Sequence, residues 1–259
     1  MSSIAITGGE AAAITAQGNP YVFRTAFGQN ISYPKLAKFI TGKYKTLAVI
    51  YANNDFGKGG RDTLTKLLEG TQTKVVADIS TDAGAVDFSA AVLKAKQSDA
   101  DAIFVVTNEE ESARMLREFR KQGVKKPLIG ETTLIGQKVI ELAGDSANGA
   151  LGHVGLTVEA APLKAFGAKY KAEYKSETDH NGIKGYTGMY VLKAAIEKAG
   201  KLDRKAVAAA IRNSCFNVKQ HPGILMDVCF DDKGDLDRES FLIEVKNGHP
   251  VINATLPPL

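Results

Sequence analysis

Three short polar clusters carry residue types that can hold a small charged molecule. Thr7-Gly8-Gly9-Glu10 follows an apolar run. Its paired glycines expose backbone N–H groups, which suit a carboxylate guest, although a tight turn uses the same residues. Asn108-Glu109-Glu110-Glu111 opens a helical stretch. Such a cluster caps a helix and matches its dipole, and Asn108 or Glu109 can face a ligand at the same time. Glu131-Thr132-Thr133 follows another apolar run. A carboxylate there can accept charge-assisted hydrogen bonds from an ammonium group; a polar loop is the plainer use.

Catalytic and metal motifs do not accompany these clusters. The sequence has no Gly-x-Ser-x-Gly elbow, no phosphate-binding loop ending in Gly-Lys-Ser/Thr and no His-Glu-x-x-His. Phe56-Gly57-Lys58-Gly59-Gly60 opens a helix after a strand but lacks Gly-x-Gly-x-x-Gly spacing. It reads as a turn with close helix approach. His153, His180, His221 and His249 have no ligand neighbour at metal-binding spacing, so neither metal nor cofactor is expected. The two cysteines, Cys215 and Cys229, belong to no Cys-x-x-Cys motif. They can form a disulfide in an oxidising compartment or remain buried thiols in a reducing one.

The elements that must position these clusters follow from hydrophobic periodicity. Apolar runs at 46–51, 74–79, 102–106 and 127–130 read as strands. Between them, 56–70 carries Leu64, Leu67 and Leu68 on one helical face. The stretch 87–97 does the same with Phe88, Ala91, Val92 and Ala95. The stretch 109–122 begins acidic, ends basic and is closed by Gly123, the order a helix dipole favours. This alternation over about 46–155 predicts a parallel sheet with right-handed crossovers and helices on both faces. Ligands bind outside the carboxyl ends of such strands, where 53–56, 107–109 and 131–133 fall.

After about residue 156 helices dominate, at 162–175, 183–199 and 203–212. The second carries the stripe Val191, Leu192, Ala195, Ile196 and Ala199. Strands return at 226–230 and 240–246, the latter turning at Asn247-Gly248 into 250–254. The first 30 residues add one strand, at 4–7. This second module is short of the strands that would cover its helical stripes.

Composition narrows the class. The chain has 259 residues and a formal net charge of +4, enough length for one large or two medium α/β domains. Basic residues are interleaved with acidic ones, unlike the concentrated patch of a nucleic-acid binder. No apolar run reaches about 18 residues, so no helix is expected to span a membrane. Met1-Ser2-Ser3-Ile4-Ala5-Ile6-Thr7 has no basic region followed by an apolar one and does not read as a signal peptide.

Several segments, taken in order, resemble the branched-chain-amino-acid substrate-binding proteins of ABC transporters, the leucine/isoleucine/valine-binding family. They are Asn19-Pro20-Tyr21-Val22-Phe23-Arg24-Thr25, then Leu47-Ala48-Val49-Ile50-Tyr51 with Asn54-Asp55-Phe56-Gly57-Lys58-Gly59, and then Val86-Asp87-Phe88-Ser89. Asp99-Ala100-Asp101-Ala102-Ile103-Phe104, Met115-Leu116-Arg117-Glu118-Phe119-Arg120, Leu142-Ala143-Gly144 and Phe230-Asp231-Asp232-Lys233-Gly234-Asp235 continue the series. Each motif is weak alone; their order and spacing are specific.

The resemblance implies an α/β type I periplasmic-binding fold, with two doubly wound lobes joined by crossover strands and a ligand clamped by hinge closure. The first lobe would be 1–29 plus 156–235, and the second 30–155 plus 236–259. The family places a long segment before the counterpart of Ile4, so the first lobe is expected to be incomplete and its helical stripes exposed. The implied function is periplasmic delivery of an amino acid or similar small carboxylate to an ABC permease complex, without catalysis, nucleic acid or cofactor. A ligand-sensing domain of the same fold in a regulatory or receptor protein is the alternative. By the same resemblance the ligand would meet Thr7, Gly8, Gly9, Glu10, Phe56, Asn108, Glu109, Glu131 and Thr132. Gly8 and Glu10 keep the backbone role of the family's first loop but not its hydroxyl. Phe56 keeps an aromatic wall without an OH, Asn108 replaces an aromatic, and Thr132 takes the place of the ammonium-binding glutamate, with Glu131 one position earlier.

Overall fold

Strand and helix alternate from the first described residues. A computed structural model describes residues 3–11 and 13–259; Met1, Ser2 and Ala12, with part of the N-terminal stretch read above, lie outside them. The chain opens with β1 (Ala5–Thr7), α1 (Ala13–Ala16), β2 (Val22–Arg24) and α2 (Gln29–Thr41). Then come β3 (Thr46–Ala52), α3 (Asp55–Leu68), β4 (Lys74–Thr81), α4 (Ser89–Gln97), β5 (Ala102–Val106) and α5 (Glu109–Lys121). β6 (Leu128–Glu131), α6 (Thr132–Ile135), α7 (Gln137–Ala143) and β7 (Leu151–Val154) complete the alternation. The helical part is α8 (Ala161–Tyr174), α9 (His180–Ala199) and α10 (Arg204–Ile211). Short strands β8 (Cys215–Phe216), β9 (Val228–Phe230) and β10 (Leu236–Asp237) precede the longer β11 (Ser240–Lys246) and β12 (His249–Leu256).

The chain divides into two compact units. One comprises Met1–Ile31, Gly155–Ser240 and Pro257–Leu259, the other Ser32–Val154 and Phe241–Leu256. The second unit is built on a seven-stranded sheet in the order β12-β11-β7-β6-β5-β3-β4. Its strands run parallel from β7 to β4, and β11 pairs antiparallel with β7. Sequence pattern tracks position in this sheet. Central β5 (Ala-Ile-Phe-Val-Val) is buried at every residue, whereas edge strands β4 and β12 alternate between more and less exposed residues. A strand covered on both faces needs a continuous apolar run, and an edge strand does not. The core gathers Tyr33, Leu36, Leu47, Val49, Leu64, Phe104 and Ile129.

Helix ends follow their local chemistry. The Glu111 carboxylate accepts the Asn108 N–H at 3.0 Å and so closes a capping box at the start of α5. The Asn54 side chain caps α3 by accepting the Gly57 N–H at 2.8 Å. A Cβ at Gly57 would stand 2.0 Å from the Ala52 carbonyl oxygen, so this glycine serves the close strand–helix turn expected of it.

The first unit has little sheet. β1 and β2 form a parallel pair, and β10-β9-β8 form a three-stranded antiparallel sheet. Its core holds Phe23, Phe27, Val191, Ala194, Ala195, Val207, Ile211, Phe216, Ile224 and Phe230. The predicted stripe of α9 is therefore not exposed: Val191 and Ala195 are buried, and Leu192, Ile196 and Ala199 pack on the same core. α10 and the 3-10 helix Pro222–Ile224 lie against α9 and cover it. A different face is open, where Tyr186, Met189 and Tyr190 are exposed and Phe166, Tyr186 and Tyr190 stack in sequence at 4.7 and 4.8 Å between ring centroids.

Two further differences from the sequence reading concern the ends of the first unit. The motif containing Val22–Arg24 is itself a strand, paired with β1 in register Ile6 to Phe23. α2 forms despite Pro34 within it; the proline withholds one N–H from the helix ladder, while Tyr33, Leu36 and Ile40 bury the face that holds it.

Cys215 and Cys229 lie directly opposite in the β8–β9 ladder and are joined by a disulfide. The bond closes a loop whose strands share only two residue pairs. Closing about 15 residues is worth about 3 kcal/mol through the unfolded chain. Dithiothreitol, or a C215S/C229S variant, should lower stability by about that amount in urea melts followed by circular dichroism. A change below about 0.5 kcal/mol would show that the ladder and core alone hold this loop.

Candidate ligand-binding site

In the first unit the candidate residues Thr7, Gly8, Gly9 and Glu10 form one loop between β1 and α1. What fixes this loop lies underneath it. Arg24, from β2, is fully buried. Its guanidinium donates to the carbonyls of Gly9 (3.3 Å) and Ala11 (3.1 Å) and to the Thr15 hydroxyl (2.7 Å). Its Nε lies 2.7 Å from Asp235 Oδ1. Asp235 also accepts the Thr15 hydroxyl at 2.7 Å and the Asn30 amide at 2.9 Å. Burial lowers the Arg24 pKa from its usual value, and the facing Asp235 works against that shift.

A second cation holds the other end of the loop. Lys184, from α9, donates to the Gly8 carbonyl at 3.4 Å and pairs with Glu10 Oε1 at 2.6 Å. The Glu10 carbonyl accepts the Gln29 N–H at 3.2 Å. All four carbonyls from Gly8 to Ala11 thus have protein donors. Of the amides, Gly9 donates to the Thr7 hydroxyl at 3.1 Å. Among the described residues, the N–H groups of Gly8, Glu10 and Ala11 have no acceptor. Amides left open in a loop whose carbonyls are held from beneath are the groups that can hydrogen-bond an anion.

In the second unit the remaining candidates sit at carboxyl ends of adjacent parallel strands, but they do not form one cluster. Phe56 opens α3 and packs, half-buried, on the core. Asn108 and Glu109 share a pocket of about 470 Å³ with Gly84, Val86, Glu110, Glu111, Arg114 and Lys138. Glu111 is anchored by the N–H groups of Asn108 and Gly84.

Glu131 is the last residue of β6 and not the first of a loop, and only 2% of it is exposed. It accepts the Tyr33 hydroxyl at 3.0 Å and the Ser32 hydroxyl at 3.5 Å. Thr132 is buried too and donates to the His153 carbonyl at 3.5 Å. Lys35 and His153 are both buried in this unit, and Lys35 reinforces the effect of burial on the histidine. Burial is the larger cause, and together they push the His153 pKa down to about 3.

Sequence reasoning missed Arg24, Lys184, Asp235, Tyr33 and Ser32. A usable signal existed for Lys184. It falls in register with Ile183, Thr187, Gly188 and Val191 on the buried face of α9, where a lysine needs a partner to be stable.

Comparison with known proteins follows this geometry. The family model described as "Periplasmic binding protein" matches residues 3–250. A leucine-, isoleucine-, valine-, threonine- and alanine-binding protein of Pseudomonas aeruginosa is 28% identical over 89% of this chain, which spans 61% of that relative's length. The crystal structure of a leucine-binding protein from Thermotoga maritima superposes with a TM-score of 0.84 at 25% identity, over 98% of this chain and 73% of the other. A solute-binding protein of an R. palustris ABC transporter, in complex with benzoate, reaches 0.86 at 21% identity, over 98% and 71%. The latter likeness shows the shared fold.

R24M removes two loop contacts and one to Thr15 of α1 and leaves Asp235 buried without its cation, so stability should fall by about 3–5 kcal/mol in urea titrations; a loss under about 1 kcal/mol would mean the loop is held otherwise. His153 has a folded pKa below its unfolded one, so the unfolded chain binds the extra proton between about pH 3 and 6.5 and stability rises with pH across that window. At pH 5 the penalty is about 2 kcal/mol. An H153Q variant should flatten the stability–pH slope over pH 4–6.5, and an unchanged slope would assign it to other groups.

Proposed function

The chain belongs to the periplasmic binding protein family, and on that premise we propose that it captures an amino acid, branched-chain or related, or a similar small carboxylate in the periplasm. It hands this solute to the permease complex of an ABC importer, with hinge closure as the response to ligand. In this reading the lobes are 1–29 with 156–235 and 30–155 with 236–259. The contributing residues are Thr7, Gly8, Gly9, Glu10, Phe56, Asn108, Glu109, Glu131 and Thr132.

One observation carries the proposal. The loop after β1 turns its carbonyls toward Arg24, Lys184 and Gln29 and leaves the amides of Gly8, Glu10 and Ala11 for a guest. Amides so arranged favour a carboxylate. The solutes named for the relatives have that group in common, in the aliphatic amino acids of the Pseudomonas protein and the benzoate of the R. palustris protein.

Isothermal titration of the protein against aliphatic amino acids, aromatic acids and short organic acids tests this. Saturable one-to-one binding of at least one carboxylate is expected, and its methyl ester should bind at least about tenfold more weakly. No binding tighter than about 1 mM across the panel would overturn the proposal.

A further inference from the structure

We propose that the solute is an organic carboxylate lacking an α-ammonium group, and that Lys184 is the positioning residue that sets this preference. The inference rests on the loop after β1 being the carboxylate seat.

The seat is one-sided. It offers donors, in the amides of Gly8, Glu10 and Ala11, and withdraws acceptors. A carboxylate accepts and never donates, whereas an ammonium group brings three donors and needs acceptors. In an α-amino acid the two groups share one carbon, so the ammonium must find acceptors close to where the carboxylate rests. Here the nearby carbonyls already face protein donors. Gly8 O faces Lys184, Gly9 O and Ala11 O face Arg24, and Glu10 O faces the Gln29 N–H. A second cation brought to the first three would meet the cation already there.

The side-chain charges tell the same story. Glu10 is the loop's own carboxylate, the natural counter-charge for an incoming ammonium. Its Oε1 is 2.6 Å from Lys184 Nζ, with only 13% and 7% of the two side chains exposed. Arg24 is matched by Asp235 at 2.7 Å. The other acid suited to an ammonium, Glu131, is buried in its own unit and accepts Tyr33 and Ser32. Glu109 and Glu110 line a pocket that also holds Arg114 and Lys138.

Lys184 does this by position and not by touching the solute. It projects from the buried face of α9, and its stem lies against the loop: a Cβ on Gly8 would be 3.1 Å from Lys184 Cδ. A side chain at position 8 would crowd the stem that carries the ammonium to Glu10. Without Lys184, the Glu10 carboxyl would face the seat with no protein cation beside it. An acceptor so placed disfavours a plain carboxylate and suits the ammonium of an amino acid.

The test uses matched pairs that differ only in the ammonium group: leucine with 4-methylpentanoate, and phenylalanine with 3-phenylpropanoate. In titration calorimetry of the unaltered protein, the ammonium-free member of a bound pair should bind at least about tenfold more tightly. K184M should move that ratio toward the amino acid by at least about tenfold, and K184M/E10Q should move it back. Equal or tighter binding of the amino acid by the unaltered protein overturns the ligand class, and needs no variant to fold. An equal loss for both members in K184M, at an unchanged ratio, overturns the role of Lys184. Failure of every carboxylate to bind would instead remove the seat itself, an outcome distinct from either.

Discussion

The ion pair between Arg24 and Asp235 is the constraint on which the first unit depends. The two residues are 0% and 2% exposed in their side chains, and two desolvated charges are stable only when their geometry is good and their other hydrogen-bonding capacity is met. Arg24 sets its Nε 2.7 Å from Asp235 and donates to Thr15 and two loop carbonyls, while Asp235 accepts from Thr15 and Asn30. Only a planar guanidinium can reach so many acceptors from one position; a lysine ammonium has three donors radiating from a point. The pair also joins β2 to the turn before β10, a reach of most of the chain length, in a unit whose sheets are too small to impose that order. Arg24 makes a backbone bond in the same direction, its N–H donating to the Gly234 carbonyl at 3.0 Å.

The second unit solves its ordering problem by other means. Parallel β3, β5, β6 and β7 are aligned by ladder bonds and by apolar burial on both sides. Polar groups also enter its interior, and near the end of β6 Glu131, Tyr33, Ser32, Lys35 and His153 are all buried. A buried network that satisfies its members fixes a unique arrangement more than it adds stability. Here it ties the start of α2 to the end of β6 through Tyr33 and Glu131.

Legibility followed the kind of force at work. Where burial alone decides, as in β3, β5 and α3, apolar periodicity marked the elements within a residue or two, and the charge order of α5 marked both its ends. β2 escaped notice because three residues, Val22–Arg24, give no period and one of them is an arginine. α2 escaped because Pro34 argues against a helix locally, while the burial of Tyr33, Leu36 and Ile40 that outweighs it is tertiary. The open face of α9 was misplaced because the stripe with the more apolar residues is the one that finds a core. The turn between β1 and α1 was legible, since Gly8 and Gly9 mark it. Its supports were not, because Lys184 and Asp235 are far from it in sequence and only the fold brings them there.

Those supports bear on what the loop can recognise. A peptide unit carries its N–H and C=O in opposite directions, so a short loop clamped from inside by its carbonyls must present its amides outward, and one clamped by its amides must do the reverse. The choice of clamp therefore fixes the polarity of the exposed edge before any ligand arrives. Cations beneath the loop select carbonyls for the clamp, and Arg24 and Lys184 are those cations. Their charges would by themselves make the seat strongly positive, yet each is matched by an acid, Asp235 or Glu10. On the proposed reading, what remains for a guest is a directional set of donors with little net charge behind it. A seat of that kind would discriminate by hydrogen-bond polarity more than by bulk attraction, and the pairing of Glu10 with Lys184 would decide whether a neighbouring positive charge on the guest is welcome.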